Sequence, residues 1–100
     1  MIERRVLFTA TARDQVERER GWWQANRDHV EAFAVDLESA VEVLRILPGV
    51  GTLYTAAGFP GLRRLYLRRI GCHVYYTFDD RQVVVRALWG VRRGRGPHIR

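Results

Sequence analysis

Beyond residue 61, apolar side chains recur at every second position in three short runs, and this spacing constrains the fold more than any other feature. The runs and the turns between them are residues 62–69, Ile70-Gly71, Cys72–Phe78, Asp79-Asp80-Arg81 and Gln82–Trp89. A period of two is that of a β-strand, and turns of two or three residues join antiparallel neighbours. The sequence therefore predicts a three-stranded antiparallel meander.

The segment before the meander has helical spacing instead. Apolar residues follow the three-and-four pattern of one buried helical face: Val30, Phe33, Ala34, Leu37, Val41 and Leu44. Pro48-Gly49 ends this helix. Residues 48–61 contain four glycines and two prolines, which predicts a loop with a turn from Gly58 to Gly61.

A short strand and an earlier helix come first in the chain. Residues 3–8 alternate weakly and end in Val6-Leu7-Phe8, which predicts the strand. Thr9 or Thr11 can cap the following helix, and Asp14 completes a capping-box pattern with Thr11. One face of this helix is apolar and is expected in the core: Ala12, Val16 and Trp23.

The order of these elements defines the fold class. A second capping box, Asp28-His29-Val30-Glu31, separates the helices, so the first is expected to end near Arg27. The order β-α-α-β-β-β is α+β: two N-terminal helices packed on a small, mostly antiparallel twisted sheet. We expect a single domain over residues 1–100, of which residues 90–100 form a basic, partly mobile tail.

Charge is distributed unevenly along the chain. All 17 basic residues are arginine. Residues 1–61 hold seven of them against nine acidic residues, whereas residues 62–100 hold ten against Asp79 and Asp80 alone. Arginine binds phosphate and carboxylate through a planar fork, so the second half predicts an anionic partner. Nucleic acid and an acidic protein segment both fit.

Several function classes are excluded by what the sequence lacks. No run of about 18 apolar residues predicts a membrane span, and the N-terminus has no signal-peptide pattern, so we expect a cytoplasmic protein. The single cysteine, Cys72, has no disulfide partner, and its neighbour His73 should point to the opposite face of the strand. No residue spacing predicts a metal site or a cofactor.

Motifs spread along nearly the whole chain resemble one family when taken together and in order. They are Phe8-Thr9, Trp22-Trp23 with Asn26-Arg27, Leu47-Pro48 with Gly51, Gly61-Leu62-Arg63-Arg64-Leu65, Val74-Tyr75-Tyr76, and Ala87-Leu88-Trp89 followed by Arg92-Arg93 and Pro97. This set resembles the plasmid-stabilisation branch of the RelE/ParE toxins, which belong to bacterial type II toxin–antitoxin systems. The fold that the resemblance implies, two N-terminal helices on a small twisted sheet, agrees with the pattern above.

The resemblance implies two activities and one kind of partner. RelE-like members cut messenger RNA in the ribosome with basic and aromatic residues, whereas ParE-like members poison DNA gyrase without hydrolytic chemistry of their own. Both are held inactive by a cognate antitoxin, so a hetero-oligomer with that protein is expected. The sequence departs from the family at Gly90, where histidine is frequent, and at His73, where arginine is frequent. The missing imidazole at Gly90 and the small number of acid and base groups favour gyrase binding, although His73 could itself act as a base or an acid.

Two alternatives remain beside gyrase binding, and each has its candidate residues. RNA cleavage requires a base, an acid and cations, and a ribosome-dependent ribonuclease would use His73, Arg63, Arg93 and Tyr76. The other alternative is a non-toxic, arginine-rich nucleic-acid-binding module. Contacts to a target or an antitoxin are assigned to seven residues: Arg63, Arg64, Arg68, Arg86, Arg92, Arg93 and Trp22.

Overall fold

The computed structural model describes residues 3–26, 30–94, 96–97 and 99 of the chain. Its helices and strands are β1 Arg5–Phe8, α1 Ala10–Asn26, α2 Glu31–Ile46, β2 Thr52–Leu53, β3 Arg63–Leu67, β4 Cys72–Phe78 and β5 Gln82–Gly90. Single 3₁₀ turns occupy Pro48–Val50 and Val91–Arg93. The predicted α+β class and the order of its elements are confirmed. The difference is β2, a two-residue strand inside the segment predicted as a loop.

The five strands form one sheet in the order β1-β5-β4-β3-β2. Strands β2 to β5 pair antiparallel, as the short turns require, and β1 pairs parallel with β5. The register of β4 and β5 shifts once: Ala87 lies opposite Tyr75 and Val85 opposite Tyr76, so Arg86 is the extra residue of β5 at this point. Such a bulge locally increases the twist of the strand and redirects its side chains.

Both helices cover one face of the sheet, and the main core lies between them. Phe33, Leu37 and Leu44 of α2 are 1%, 8% and 0% exposed, as the helical stripe predicts. The stripe is wrong at its edges. Val30 precedes the helix and is exposed, and Ala34 and Val41 are half-buried, while Ala32 and Ala40 are buried in their place. The buried face of α2 is therefore rotated slightly from the predicted one.

Helix α1 begins at Ala10, one residue before Thr11, and the residue that caps it is Thr9. The backbone N–H of Ala12 donates to Thr9 Oγ1 over 3.1 Å, which satisfies one of the free N–H groups of the first turn. The predicted pairing of Thr11 with Asp14 is therefore not the cap. Residues 27–29, which include part of the predicted second capping box and the expected helix end, lie outside the described residues.

Two polar residues of α1 are buried beside the predicted apolar face. Gln15 is 5% exposed and its Oε1 accepts a hydrogen bond of 2.9 Å from the backbone N–H of Leu88. β1 ends opposite Val85, so β1 does not reach the backbone of β5 at Leu88. There the side chain of Gln15 accepts the hydrogen bond instead. The other buried polar residue is Glu19, which is 1% exposed.

The loop after α2 is fixed to the sheet by Tyr76, which is fully buried. Its hydroxyl donates to the carbonyl of Pro48 over 2.6 Å and accepts from the N–H of Gly51 over 2.9 Å. A Cβ at position 51 would lie 2.6 Å from this hydroxyl and 2.9 Å from the carbonyl oxygen of Arg64. Glycine is therefore required there for close approach of the loop, since its φ is an ordinary −73°.

Candidate functional site

The sheet face that the helices leave uncovered carries cations and rings from three strands. The register places Arg64 opposite Tyr75, Tyr66 opposite His73, and His73 opposite Trp89. Side chains alternate along a strand, so these residues share a face opposite the main core. We call this surface the outer face: Arg64, Tyr66, His73, Tyr75, Arg86 and Trp89.

Rings on the outer face contact one another in a continuous row. Tyr66 and His73 have centroids 4.8 Å apart, His73 and Tyr75 6.1 Å, and Tyr75 and Tyr54 5.2 Å. The guanidinium of Arg64 lies 4.6 Å from the ring centre of Tyr54. Rings interleaved with arginine suit a base, an aromatic side chain or an anionic group of a partner.

His73 is the titratable group of the outer face that changes charge nearest to neutral pH. Partial burial lowers its pKa below the ordinary value, and the positive charge of Arg64 lowers it further. The imidazole is therefore neutral at pH 7 and able to accept a proton. Burial raises the pKa of Tyr75 although Arg64 hydrogen-bonds to its hydroxyl, so this phenol keeps its proton.

The bulge in β5 brings a second cation to the outer face. Arg86 Nε donates to Thr77 Oγ1 over 2.9 Å, and its guanidinium lies 4.8 Å from the ring centre of Phe59. Leu62, Tyr75 and Ala87 form a small buried cluster beneath these side chains. The outer face is thus a partly packed surface rather than a row of solvated strand residues.

At the end of β5, two arginines bind one buried carboxylate. Arg92 Nη2 donates to Glu19 Oε2 over 2.6 Å, and Arg93 Nε donates to Glu19 Oε1 over 2.9 Å. The Arg92 guanidinium also lies 3.5 Å from the ring centre of Trp22. We call these contacts the Glu19 network. The network ties residues 91–93, the start of the predicted basic tail, to α1.

The Glu19 network explains the glycine that ends β5. A Cβ at Gly90 would lie 2.9 Å from Glu19 Oε1 and 2.9 Å from Arg92 Nη1. Cβ atoms essentially never lie closer than 3.0 Å to a non-bonded atom, so any side chain at position 90 would displace the buried ion pairs. The position where the resembling family often has histidine is therefore closed by this chain's own residues.

The structure separates the predicted site residues into three groups. Arg64, Arg86 and His73 lie on the outer face, while Arg92, Arg93 and Trp22 lie at the Glu19 network. Arg63 and Tyr76 face the helix side, where Arg63 Nη1 donates to the carbonyl of Gly51 over 2.6 Å. Arg68 is exposed in the turn after β3. The four residues proposed for a ribonuclease are therefore not brought together.

Two residues of these groups were missed from the sequence, and both left a signal in it. Glu19 is three residues after Val16 and four before Trp23, so the helical spacing places its carboxylate on the predicted apolar face of α1. Tyr75 is two residues from His73 and so shares its face, whereas Tyr76 is three residues away and does not.

A separate groove runs between the two helices. It has a volume of about 1050 Å³ and a mostly apolar floor that includes Val16, Leu37 and Val41. Its rim carries charges of both signs: Arg13, Arg20 and Arg45 with Glu17, Glu38 and Glu42. A groove of this size and lining fits an amphipathic helix of a partner.

The described residues contain neither a helix long and apolar enough to cross a membrane nor a cluster of three metal-ligating side chains. No protein-family model and no curated protein matches the sequence.

Solved structures, in contrast, match the fold over most of the chain. The chromosomal ParDE toxin–antitoxin system from P. aeruginosa matches with a TM-score of 0.70 and 13% identity, over 88% of this chain and 96% of that one. The E. coli DinJ-YafQ toxin–antitoxin complex matches with a TM-score of 0.65 and 14% identity, over 95% of this chain and 100% of that one. YafQ from E. coli strain BL21(DE3) matches with a TM-score of 0.61 and 14% identity, over 94% of this chain and 100% of that one.

Two of the three structures are described as toxin–antitoxin systems or complexes, and the third is of YafQ, a component of the second. The resemblance found in the sequence is confirmed at the level of the fold, because the chain shares the fold of these structures. Identities of 13% and 14% show the fold alone.

Proposed function

We propose that the chain is the toxin of a type II toxin–antitoxin system, that it acts in the cytoplasm, and that it inhibits growth by binding DNA gyrase. The fold similarity to the ParDE and DinJ-YafQ structures supports the toxin–antitoxin class. The observation that carries the proposal is the separation of the residues that RNA cleavage would need. Tyr76 and Arg63 hold the loop after α2, and Arg93 is bound to Glu19. His73 lies apart from these three residues, on the outer face, which can act as a binding surface.

The antitoxin is the second partner of this proposal. The groove between α1 and α2 accepts an amphipathic helix on its apolar floor, and the arginine-rich second half of the chain attracts an acidic segment. Apolar anchors in the groove would set the affinity, while the charges would speed association and make it sensitive to salt. Co-expression with the product of the adjacent gene, followed by purification through a tag on one protein, tests for the complex.

Induced expression in bacteria tests the target. Under the proposal, cells show a DNA-damage response while translation continues, and the purified chain inhibits gyrase supercoiling. Arg64→Ala and Arg86→Ala are the informative variants, because they remove cations from the outer face. Changing Arg92 and Arg93 is less informative, since it would leave the carboxylate of Glu19 buried without a partner and unfold the chain.

One observation favours the ribonuclease as a second candidate. His73 is neutral at pH 7 and lies between Arg64 and the rings of Tyr66 and Tyr75, where a phosphate and a base could bind. General acid–base catalysis contributes about 10²- to 10⁴-fold, so His73→Ala would abolish toxicity in a ribonuclease. In a gyrase poison the same variant stays toxic.

The His73→Ala variant therefore separates the two candidates. A variant that folds and binds the antitoxin but has lost toxicity would contradict gyrase binding. The control is Tyr66→Phe, which changes a neighbouring side chain of the same face without removing a ring. The non-toxic nucleic-acid-binding module would be supported if expression caused no growth arrest and no small gene for a partner lay beside this one.

A further inference from the structure

The Glu19 network leaves hydrogen-bond donors of both arginines unused. Only Arg92 Nη2 and Arg93 Nε are bonded to Glu19. Among the described residues, the Nε and Nη1 of Arg92 and both Nη atoms of Arg93 have no hydrogen-bond acceptor. The side chains remain 28% and 25% exposed. Two partly exposed arginine side chains are thus held by one buried carboxylate, and each keeps N–H donors that Glu19 does not use.

The charges of the network do not cancel. One carboxylate faces two guanidinium groups, so the network carries one net positive charge at the end of the sheet. Fixed N–H donors with a surplus positive charge bind a carboxylate or a phosphate strongly, because charge-assisted hydrogen bonds form without further ordering of the side chains.

We propose that Arg92 and Arg93 form a binding site for a carboxylate side chain of a partner protein, and that Glu19 is the residue that positions them. Glu19 has the same charge as the ligand and does not touch it. It acts by holding both arginines and the 3₁₀ turn Val91–Arg93, which has no side-chain cap of its own. The proposal rests on the proposed function and deepens it, since the acidic segment would belong to the antitoxin.

The rings near the arginines favour a protein carboxylate over a nucleic-acid phosphate. A nucleotide bound here would need an open aromatic face on which its base could stack. The Arg92 guanidinium covers one face of Trp22 at 3.5 Å, and that of Arg93 lies 5.5 Å from the ring centre of Trp89. The arginines therefore occupy stacking positions that a base would use.

The role of Glu19 predicts an effect opposite to simple charge attraction. Replacing Glu19 by Gln removes a negative charge, and simple attraction would then strengthen the binding of an anion. Without the carboxylate, however, two long side chains and a three-residue turn must become ordered when the anion binds. That cost outweighs one repulsion that is partly screened by solvent, so we expect weaker binding.

A titration with hexaglutamate, followed by tryptophan fluorescence, tests the proposal in the purified full chain. The peptide has no aromatic residue, and Trp22 and Trp89 lie beside the site and report on it. We expect Glu19→Gln to bind about tenfold more weakly, which corresponds to losing about one charge-assisted hydrogen bond. The matched control is Glu3→Gln, an exposed glutamate that lies outside both the groove and the Glu19 network. It removes the same charge and should bind as tightly as the parent or more tightly.

A second variant keeps the test decisive if Glu19→Gln does not fold in a thermal melt. Arg93→Lys retains the charge but loses the Nε–H bond to Glu19, and it should weaken binding at unchanged net charge. Equal or tighter binding by Glu19→Gln, or by Arg93→Lys where the former is unfolded, would overturn the proposal. A dependence on Glu19 with an oligothymidylate probe but not with the peptide would assign the site to nucleic acid instead. Neither result bears on the growth and gyrase assays, so the proposed function stands or fails separately.

Discussion

The hydroxyl of Tyr76 offers a direct test of how the loop after α2 is held. Tyr76→Phe removes one oxygen and leaves the ring in the core. In the parent this oxygen donates to the carbonyl of Pro48 and accepts from the N–H of Gly51. Both backbone groups would lose their partner in a buried place, and each such loss costs about 1–3 kcal/mol. We therefore expect the free energy of unfolding to fall by about 2–6 kcal/mol.

Urea denaturation followed by circular dichroism measures this change. The midpoint should fall while the slope stays constant, because the same surface is exposed on unfolding. The control is Tyr66→Phe on the outer face, where the ring is 46% exposed and the change should be within about 0.5 kcal/mol. A Tyr76→Phe protein as stable as this control would refute the structural role of the hydroxyl.

Three further results are expected. Leu44→Ala should lower the free energy of unfolding by about 2–5 kcal/mol, whereas Val43→Ala, at an exposed position of the same helix, should change it by less than about 1 kcal/mol; denaturation of both variants checks this. Gly90→Ala should lower the free energy of unfolding by about 1–3 kcal/mol because its Cβ would collide with the Glu19 network. Gly49→Ala is the control, since its Cβ would meet no atom within 4 Å, and equal melting temperatures of the two variants would contradict this expectation. The folded chain holds the pKa of His73 below its ordinary 6.5, so the unfolded chain binds the proton first, and stability should fall as the pH drops below 6.5. His73→Gln should flatten this dependence, and an unchanged pH profile would count against it.

The parts of the fold that local spacing determines were predictable. The bounds of β4 match the prediction at both ends, because alternating side chains and flanking turn residues mark them. The centre of the α2 stripe was predictable too, because apolar residues three and four positions apart share one helical face. Strand β2 was not predictable: Thr52-Leu53 is too short to show a period and is a strand only because β3 lies beside it. The parallel pairing of β1 with β5 likewise depends on contacts between distant segments.

The positions of the candidate site residues were predictable only where the alternation of side chains along a single strand determines them. Counting along β4 is enough to put Tyr75 beside His73 and Tyr76 on the other side. The position of Arg86 depends on the bulge in β5, which no pattern of residues in that strand announces. The arginines after β5 could be recognised as basic, but their binding to Glu19 joins residues about 70 positions apart. Local patterns carry no information about such a contact.

The parallel pairing of β1 with β5 also orders events during synthesis of the chain. β5 occupies the position between β1 and β4, so the strand translated last among those described is the one that joins the first to the rest of the sheet. Contacts between segments so far apart in sequence form late and slowly. The nascent chain must therefore emerge from the ribosome almost to residue 90 before the helices have a complete sheet to cover. Until then neither the outer face nor the Glu19 network exists. A chain that is still being synthesised therefore lacks the surfaces proposed to bind its partners.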